Sequence, residues 1–282
     1  MQYTIIVIKM SCWKYWPKIE EIANKLENYG IDSLNDMSSL NDVDLGEITK
    51  LLDEIEVIAH DETIDFDSAK HILDDEKMNN ALKLIRKFYL YIGARLETSN
   101  AMEIIKSDDP KATLDTFHFY ERYQGLLTNE SKLAHWHDDK TFVFVGSGPL
   151  PLTLILFREK FGCKCIGIEI QEDVAELSRE VIKKLSLDDG IEILVGDETL
   201  LKNIDFDILM VAAFAEPKER VFANVWEIVD EKTPVLVRTY SGMRAILYAP
   251  LTDTILRGFH KERMLLPIGN SNNTSVLLRK VI

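Results

Sequence analysis

The hydrophobic pattern of this 282-residue chain changes abruptly near residue 140. From about residue 13 to 137, apolar residues recur at helical spacing, as Ile19, Ile22 and Leu26 do in WPKIEEIANKLENYG. After residue 140, short and nearly continuous apolar runs alternate with helical stretches; the runs are TFVFVG, CKCIGIEI, IEILVGDE, FDILMVAAF and TPVLVRTY. Such runs suit parallel strands that are covered on both faces. The alternation therefore predicts a doubly wound α/β domain after a helical one.

The change of pattern sets the predicted domain boundary. We expect a helical domain at residues 1–139 and a Rossmann-like domain at residues 140–282. The C-terminal TSVLLRKVI is predicted to add one more strand, in a mixed edge region of the sheet.

Helix boundaries within the first domain follow from polar and proline residues. The polar segment 31–46 is predicted to be a loop, and Asp65 or Asp67 is expected to cap a helix start. Another helix is expected to begin near Pro110 and to run through PKATLDTFHFYERYQGLL.

The formal net charge of −14 comes from 33 lysine and arginine against 47 aspartate and glutamate residues. Such a surface repels phosphate backbones and anionic lipids, so we expect neither a nucleic-acid nor a membrane partner. The apolar runs are strand-sized, and MQYTIIVIKM lacks the basic start of a secretory signal. These features predict a cytoplasmic protein that acts on small molecules.

The three cysteines, Cys12, Cys163 and Cys165, are too few for a disulfide framework. Cys163 and Cys165 flank one residue of a strand-like run and lack the turn on which a metal or redox pair usually lies. We expect them to be buried thiols.

The histidines offer metal-binding alternatives. His60 lies next to an aspartate, His71 lies near Asp74 and Asp75, and residues 135–137 read HWH. None of these groups forms a coherent set at metal-ligand spacing, and helix caps and surface pairs explain them. We predict no intrinsic metal.

A glycine turn and an acid follow the first two predicted strands. Gly146 and Gly148 leave the first strand, where a tight turn lets the backbone approach a ligand. Glu169 ends the second strand, 21 residues beyond Gly148, where an acid accepts hydrogen bonds from ribose hydroxyls. Asp197 and Glu198 follow the third strand, where an acid can meet an adenine amino group. Together these positions predict an adenosine-binding site.

The helix start after the glycine turn distinguishes between adenosine cofactors. Pro149 and Pro151 remove two of the N–H donors that a pyrophosphate needs. S-adenosylmethionine has no phosphate, and it needs only the glycine turn, the ribose acid and the adenine site. The pattern favours S-adenosylmethionine over NAD; a Rossmann-like sheet whose acids are merely solvated strand ends remains the alternative.

Composition and spacing do not decide which carbon of the sulfonium is attacked. Attack on the methyl group would make a methyltransferase, and attack on the γ-carbon of the methionine chain would transfer an aminocarboxypropyl group. The fourth strand ends in VAAFAEP, without the acid- or Asn-Pro-Pro-aromatic turn with which many enzymes hold a flat amide nitrogen. This argues weakly against amide or nucleobase methylation. A small-molecule methyltransferase and a non-catalytic nucleotide- or metallophore-binding protein remain open.

Longer strings in both halves resemble one family. They include VGSGPLPLT, IEIQEDVAELSREVI, GDET, MVAAFAEPKERVF, RTYSGMRAILYAP, NNTSVL, FYERY and LLDEIEVIAHDETIDFDSAKHILDDEKMNNALKLIRKFY. The chain resembles nicotianamine synthase, in particular its archaeal branch, over about residues 11–282. The resemblance implies a helical cap followed by a Rossmann-like, S-adenosylmethionine-dependent methyltransferase-type domain.

The resemblance also implies an activity. Members condense aminocarboxypropyl units of S-adenosylmethionine and release methylthioadenosine. Archaeal members attach two units to glutamate, which gives a thermonicotianamine-type metal chelator. S-adenosylmethionine is thus expected as a substrate.

The resemblance assigns two catalytic residues. Glu97 in ARLET is implied to bind and deprotonate an amine, because a protonated amine is unreactive until a base takes its proton. Tyr123 in FYERY is implied to orient it. From their residue types and positions alone, the alternatives are a solvated helix face for Glu97 and an interdomain packing aromatic for Tyr123.

The remaining residues are predicted to bind parts of the two substrates. Those expected to contact S-adenosylmethionine are Gly146, Ser147, Gly148 and Pro149 at the methionine part, Glu169 at the ribose, Asp197 and Glu198 at the adenine, and Ala213 in MVAAFAEP. Arg238 and Tyr240, at the fifth strand's exit, are candidates for substrate carboxylates, since a guanidinium matches a carboxylate as a fork. A surface ion pair is the alternative for Arg238.

Overall fold

A computed structural model describes residues 15–31 and 40–281 of the chain. The prediction made for MQYTIIVIKM and the one for Cys12 lie outside these residues. Among the described residues, no helix combines the length and the apolar character needed to cross a bilayer.

Nine α-helices are described, and most agree with the helical stretches of the sequence. They are α1 (Trp16–Glu27), α2 (Asp42–Ala59), α3 (Phe66–Leu73), α4 (Asn79–Lys106), α5 (Pro110–Asp115), α6 (Tyr120–Leu133), α7 (Leu152–Phe161), α8 (Glu172–Lys184) and α9 (Lys218–Ile228). Short 3₁₀ turns occupy Glu76–Met78, Glu198–Asn203 and Gly242–Ile246.

Two helix boundaries differ from the predictions. Helix α2 begins at Asp42, inside the segment expected to be a loop, because the Asn41 side chain accepts from the backbone N–H groups of Val43 and Asp44. The single helix expected after Pro110 is two helices, with residues 116–119 between them. The predicted cap at Asp65 is confirmed, since its carboxylate accepts from the backbone N–H of Ser68 at 2.8 Å.

Seven strands form one sheet in the order β3-β2-β1-β4-β5-β7-β6. They are β1 (Thr141–Val145), β2 (Lys164–Glu169), β3 (Ile191–Val195), β4 (Ile208–Val211), β5 (Val235–Thr239), β6 (Phe259–Leu265) and β7 (Thr274–Lys280). Strands β1 to β5 pair in parallel, whereas β7 pairs antiparallel with both β5 and β6. The predicted fold class, a helical region followed by a Rossmann-like, methyltransferase-type α/β domain, is confirmed.

The sheet is covered on both faces, as the continuous apolar runs predict. On β1, Phe142 and Phe144 belong to one buried cluster, and Val143 and Val145 belong to another. Alternate residues of a strand point to opposite faces, so both faces of this central strand are buried. The predicted C-terminal strand is β7; the outermost strand β6 is largely exposed, and its sequence FHKERML has no apolar alternation that would predict it.

The strand order places the edge that is predicted to bind adenosine next to β1. Strand β1 lies between β2 and β4, and Val145 is level with Ile168 on one side and Val211 on the other. The carboxyl ends of these strands therefore meet where the strand order reverses, which is where open α/β sheets bind ligands.

The chain forms two compact units. Of the residues that the structure describes, one unit comprises those within 1–95 and 240–250, and the other comprises those within 96–239 and 251–282. The first division falls within α4 and not at 139/140, because the end of this helix packs in the cluster that covers the sheet. The change of pattern near 140 coincides with the start of β1 at Thr141; the 139/140 boundary itself stays a prediction.

Candidate functional site

The turn after β1 has the backbone shape for which glycine was expected. Gly146 and Gly148 have φ angles of +83° and +71°, in the left-handed region where side chains other than glycine are strained. The N–H groups of Gly146 and Ser147 donate to the Ile168 carbonyl of β2 at 2.8 and 3.2 Å. The turn is thus bound to the end of the neighbouring strand.

The acid at the end of β2 lies against this turn. Glu169 is only 7% exposed, and its Oε2 accepts from the backbone N–H of Gly148 at 3.1 Å. Its Oε1 accepts from the backbone N–H of Gln171, also at 3.1 Å. The structure therefore brings together the glycine turn and the acid, which are 21 residues apart in the sequence.

A buried polar atom points to a ligand at this turn. Ser147 is 5% exposed, and its hydroxyl oxygen has no hydrogen-bond partner within the described part of the chain. Buried hydroxyls are nearly always paired, so an unpaired one calls for an explanation. Pro149, next in the turn, is buried. A polar group of a bound S-adenosylmethionine would satisfy the Ser147 hydroxyl, so the residues present fit this ligand.

Glu97 and Tyr123 lie together beside the turn. The Tyr123 hydroxyl, in the first turn of α6, donates to Glu97 Oε1 on α4 at 3.0 Å. The other carboxylate oxygen, Oε2, lies 3.3 Å from where a β-carbon on Gly148 would stand. Glu97, Tyr123, Gly148 and Glu169 all belong to the compact unit of residues 96–239 and 251–282.

The surroundings of Glu97 change its acidity. Burial raises the pKa of the carboxyl from 4.5 to about 7, and the negative charge of Glu169 acts in the same direction. The hydrogen bond from Tyr123 and the positive charge of Arg238 oppose this rise. A half-buried carboxyl with this pKa can exchange a proton near neutral pH, which an exposed glutamate cannot do efficiently.

Arg238 is buried and bound to an acid that was not predicted. Its Nε and Nη2 donate to the two carboxylate oxygens of Glu130 at 2.6 and 2.9 Å, and its Nη1 donates to Thr153 Oγ1 at 3.1 Å. Arg238 and Glu130 are 7% and 1% exposed. The fork expected to bind a substrate carboxylate therefore binds Glu130 in this structure, and a substrate-binding role for Arg238 has no support from these contacts.

Asp197 and Glu198 differ in burial and in the protein groups that bind their carboxylates. Asp197 is half-buried and caps a 3₁₀ turn by accepting from the backbone N–H and the hydroxyl of Thr199, hydrogen bonds that lower the pKa of its carboxyl. Glu198 is 1% exposed; its Oε1 accepts from Asn224 Nδ2 at 2.7 Å, and its Oε2 accepts from Arg220 Nη2 at 3.2 Å. The Glu198 carboxylate thus faces α9, and its contact with adenine stays a prediction.

Ala213 and Tyr240 lie in different compact units. The Ala213 carbonyl accepts from the buried Lys218 Nζ at 2.6 Å, which fixes the backbone after β4. The Tyr240 ring packs edge-on against Tyr89, with a centroid distance of 6.3 Å, and lies 5.9 Å from the Tyr248 ring. Their ligand contacts stay predictions.

The predictions missed Glu130, although its position in the sequence carries a usable signal. Glu130 occupies an apolar position of α6, because Leu126, Leu127 and Leu133 are all buried on the same side of the helix. A charged residue at a core position needs a buried partner, and Arg238 in the apolar run VLVRT is the matching charge.

The alternative metal sites gain no support. Within residues 15–31 and 40–281, no three His, Cys, Asp or Glu residues lie close enough together to bind a metal ion. Cys163 and Cys165 are buried thiols, as predicted, with their sulfurs 3.7 Å apart. That the protein has no intrinsic metal stays a prediction.

Comparison with known sequences gives one family. The family described as nicotianamine synthase protein matches residues 18–282. A nicotianamine synthase of Solanum lycopersicum is 23% identical over 225 residues, which are 74% of this chain and 71% of that protein. An L-histidine 2-aminobutanoyltransferase of Pseudomonas aeruginosa is 24% identical over 154 residues, 52% of this chain and 59% of the relative.

Solved structures of MtNAS are similar over nearly the whole chain. A glutamate-to-glutamine mutant of MtNAS in complex with S-adenosylmethionine has a TM-score of 0.88 and 50% sequence identity, covering 95% of this chain and 98% of that one. MtNAS in complex with MTA and tNA has a TM-score of 0.89, with the same identity and coverage.

Proposed function

The chain belongs to the nicotianamine synthase family, and from that premise we propose that it transfers aminocarboxypropyl units of S-adenosylmethionine onto glutamate. The product is a nicotianamine-type metal chelator, and each transfer releases methylthioadenosine. The transfer itself and the type of product follow from the family and from the MtNAS structures. Glutamate as acceptor is the finer part of the proposal.

One observation supports the proposal most strongly. A carboxyl whose pKa is raised to about 7, Glu97, lies beside the glycine turn and is held by a tyrosine hydroxyl. An S-adenosylmethionine site needs such a base only if its acceptor has a proton to lose. An α-amine does, because it is protonated at neutral pH and has no free lone pair in that state.

We propose that Glu97 takes the proton from the acceptor amine. The amine's lone pair then forms a bond to the γ-carbon of the methionine chain, while the bond from that carbon to sulfur breaks and its electron pair stays on sulfur. S-adenosylmethionine supplies the positive sulfonium, which makes methylthioadenosine a good leaving group. Tyr123 orients Glu97 by donating to Oε1, which leaves Oε2 on the side of Gly148.

The predicted ligand contacts are part of the proposal. Gly146, Ser147, Gly148 and Pro149 would hold the methionine part, and Glu169 would hold the ribose. Its two hydrogen bonds from the backbone fix the Glu169 carboxylate and leave further lone pairs for ribose hydroxyls. The contacts of Asp197, Glu198 and Ala213 with the adenosine are retained as predictions.

We propose that the protein binds neither nucleic acid nor anionic membranes. The charge of −14 supports a protein without nucleic-acid or anionic-membrane partners. The cytoplasmic location likewise stays a prediction. We also propose that the enzyme has no metal of its own, so that catalysis depends on proton transfer and on the positioning of the two substrates.

Product analysis tests the proposed reaction. Purified protein is incubated with S-adenosylmethionine and glutamate, and the products are identified by mass spectrometry. We expect methylthioadenosine together with glutamate that has gained aminocarboxypropyl units. S-adenosylhomocysteine would instead indicate a methyltransferase, and unconsumed S-adenosylmethionine under every condition would indicate a binding protein.

The same experiment identifies the acceptor. Parallel incubations contain glutamate, histidine or no added acceptor, because one relative is named for histidine. Methylthioadenosine formation that depends on glutamate supports the proposal. Formation that depends on histidine, or that needs no added acceptor, keeps the transferase activity and removes glutamate.

A further inference from the structure

A buried ion pair lies under the tyrosine that holds Glu97. The guanidinium carbon of Arg238, on β5, is 5.4 Å from the centre of the Tyr123 ring and 5.8 Å from that of Phe144. At these distances a cation is attracted to an aromatic ring. Arg238 thus supports the residue whose hydroxyl donates to Glu97.

Hydrogen bonds from two helices fix the position of Arg238. Glu130 on α6 binds it with both carboxylate oxygens, and Thr153 on α7 binds its remaining terminal nitrogen. Glu130 and Tyr123 lie on the same helix, two turns apart, so α6 supplies both the anion that holds Arg238 and the ring that covers it. A forked arginine–carboxylate pair has little freedom to rotate.

The charge of this pair also acts on Glu97. Within the described residues, three side chains act on the acidity of the Glu97 carboxyl: Tyr123 from α6 through a hydrogen bond, and Glu169 from β2 and Arg238 from β5 through their charges. Arg238 is the only cation among them, and Glu130 neutralises it at 2.6 Å. The positive charge that Glu97 senses is therefore the charge of Arg238 reduced by that of Glu130.

We propose that Glu130 and Arg238 are positioning residues for the transfer reaction, which together fix the Tyr123 ring and set the positive charge sensed by Glu97. This inference rests on the proposed function, since it takes Glu97 as the base. Neither residue is assigned a contact with the reacting atoms.

Replacing Glu130 and replacing Arg238 should shift the titration of Glu97 in opposite directions. Glu130→Gln leaves the charge of Arg238 unneutralised, which favours the Glu97 carboxylate and lowers the pH at which Glu97 titrates. Arg238→Gln removes the cation and leaves Glu130 unpaired, which raises that pH. We expect the titration midpoint of Glu97 to shift by about 0.5 to 1 pH unit. This is at or below the smallest pKa shift that a directly adjacent charge usually causes.

The titration is measured without turnover. Protein labelled with ¹³C at the glutamate side-chain carboxyl is titrated by NMR, and the Glu97 signal is assigned by its absence in Glu97→Gln. Opposite shifts in the two variants support the proposal. If the ion pair were merely structural, both variants would be less stable and the Glu97 titration would not change. An unchanged titration, or shifts in the same direction in both variants, would overturn the proposal.

Two further variants complete the experiment. Asp207→Asn breaks the Lys140–Asp207 ion pair at the amino ends of the strands and should leave the Glu97 titration unchanged. If the single variants do not fold, Glu130→Leu combined with Arg238→Met removes both charges and leaves no unpaired buried ion. That variant should titrate at higher pH than the wild type, and an unchanged value would overturn the proposal.

Activity distinguishes this inference from the proposed function. The pH dependence of kcat/KM for methylthioadenosine release should follow the NMR titration in each variant. If the wild type releases no methylthioadenosine, the proposed function fails while the NMR result still decides whether the pair acts on Glu97. If the wild type is active and the titrations do not move apart, only the positioning inference fails.

Discussion

Glu97 on α4 is partly accessible and weakly acidic. It is half-buried, so part of its side chain remains accessible, yet burial raises its pKa to about 7. Tyr123 holds one oxygen and leaves the other beside Gly148. A carboxyl in this state suits a general base at neutral pH, because a base works best when its pKa is near the working pH.

Replacing the Glu97 carboxyl should reduce turnover. Glu97→Gln keeps the size of the side chain and a hydrogen bond with Tyr123 but removes the base. We expect kcat for methylthioadenosine release to fall by about 10²-fold or more, the usual scale for a positioned acid–base group. Affinity for S-adenosylmethionine, measured by calorimetry, should stay within a few-fold of the wild type.

Glu103→Gln is the matched control. Glu103 is an exposed glutamate on the same helix, so the change alters charge and composition equally without touching the site. Its kcat should equal that of the wild type. A Glu97→Gln enzyme with wild-type turnover would remove Glu97 from the mechanism.

At the scale of elements, the site depends on how closely the turn after β1 approaches α4. Gly148 contributes its N–H to Glu169, and its missing side chain leaves room for Glu97 Oε2. The turn therefore binds the predicted ribose acid and lies beside the predicted base. A β-carbon at this position would press against Glu97 Oε2.

Two glycines of similar backbone conformation allow the effect of this close approach to be separated from backbone strain. Gly148 and Gly162 have φ angles of +71° and +67°, so alanine costs each a similar backbone strain, roughly 1–2 kcal/mol. A new β-carbon at 148 lies 3.3 Å from Glu97 Oε2, whereas one at 162 makes an ordinary 3.7 Å contact with Asp138. We expect Gly148→Ala to lose about tenfold or more in kcat/KM, since misplacing a positioned group is costly.

Gly162→Ala reports the cost of strain alone. Both variants should lose similar amounts of stability in urea unfolding, and only Gly148→Ala should lose activity. Equal losses of activity would mean that the effect comes from stability and not from the site.

At the scale of the whole molecule, stability should depend on the ionisation of Glu97. The folded pKa lies at about 7, above the ordinary 4.5. The native state therefore holds this proton more tightly than the unfolded state, and stability falls as the pH rises from about 4.5 to about 7. At about 1.4 kcal/mol per pKa unit, the full cost above this window is about 3 kcal/mol.

The corresponding prediction is that Glu97→Gln stabilises the fold at alkaline pH. The net charge of −14 also makes stability depend on pH, so the comparison is made with Glu103→Gln, which carries the same net charge. In urea unfolding, the two variants should differ little near pH 4 and by about 3 kcal/mol near pH 8, with Glu97→Gln the more stable. A difference that does not change with pH would show that Glu97 titrates normally.

The hydrophobic pattern and the residue spacing were sufficient to predict the fold class and to predict that the two ends of the proposed adenosine site would meet. Continuous apolar runs require burial on both faces, and a parallel sheet places strand ends at one edge, so Gly148 and Glu169 could be predicted to meet. Local rules failed where the signal is not periodic: β6 is exposed, and Asn41 starts α2 inside a polar segment.

Which charged side chains pair with each other is visible only in the folded protein. Glu130 and Arg238 are 108 residues apart, and Glu198 and Asn224 are 26 apart. The sequence suggested that Arg238 and Glu198 bind ligands, whereas their nearest partners are protein groups. A side chain's available hydrogen bonds and its pKa depend on neighbours brought close by folding, and no local pattern specifies them.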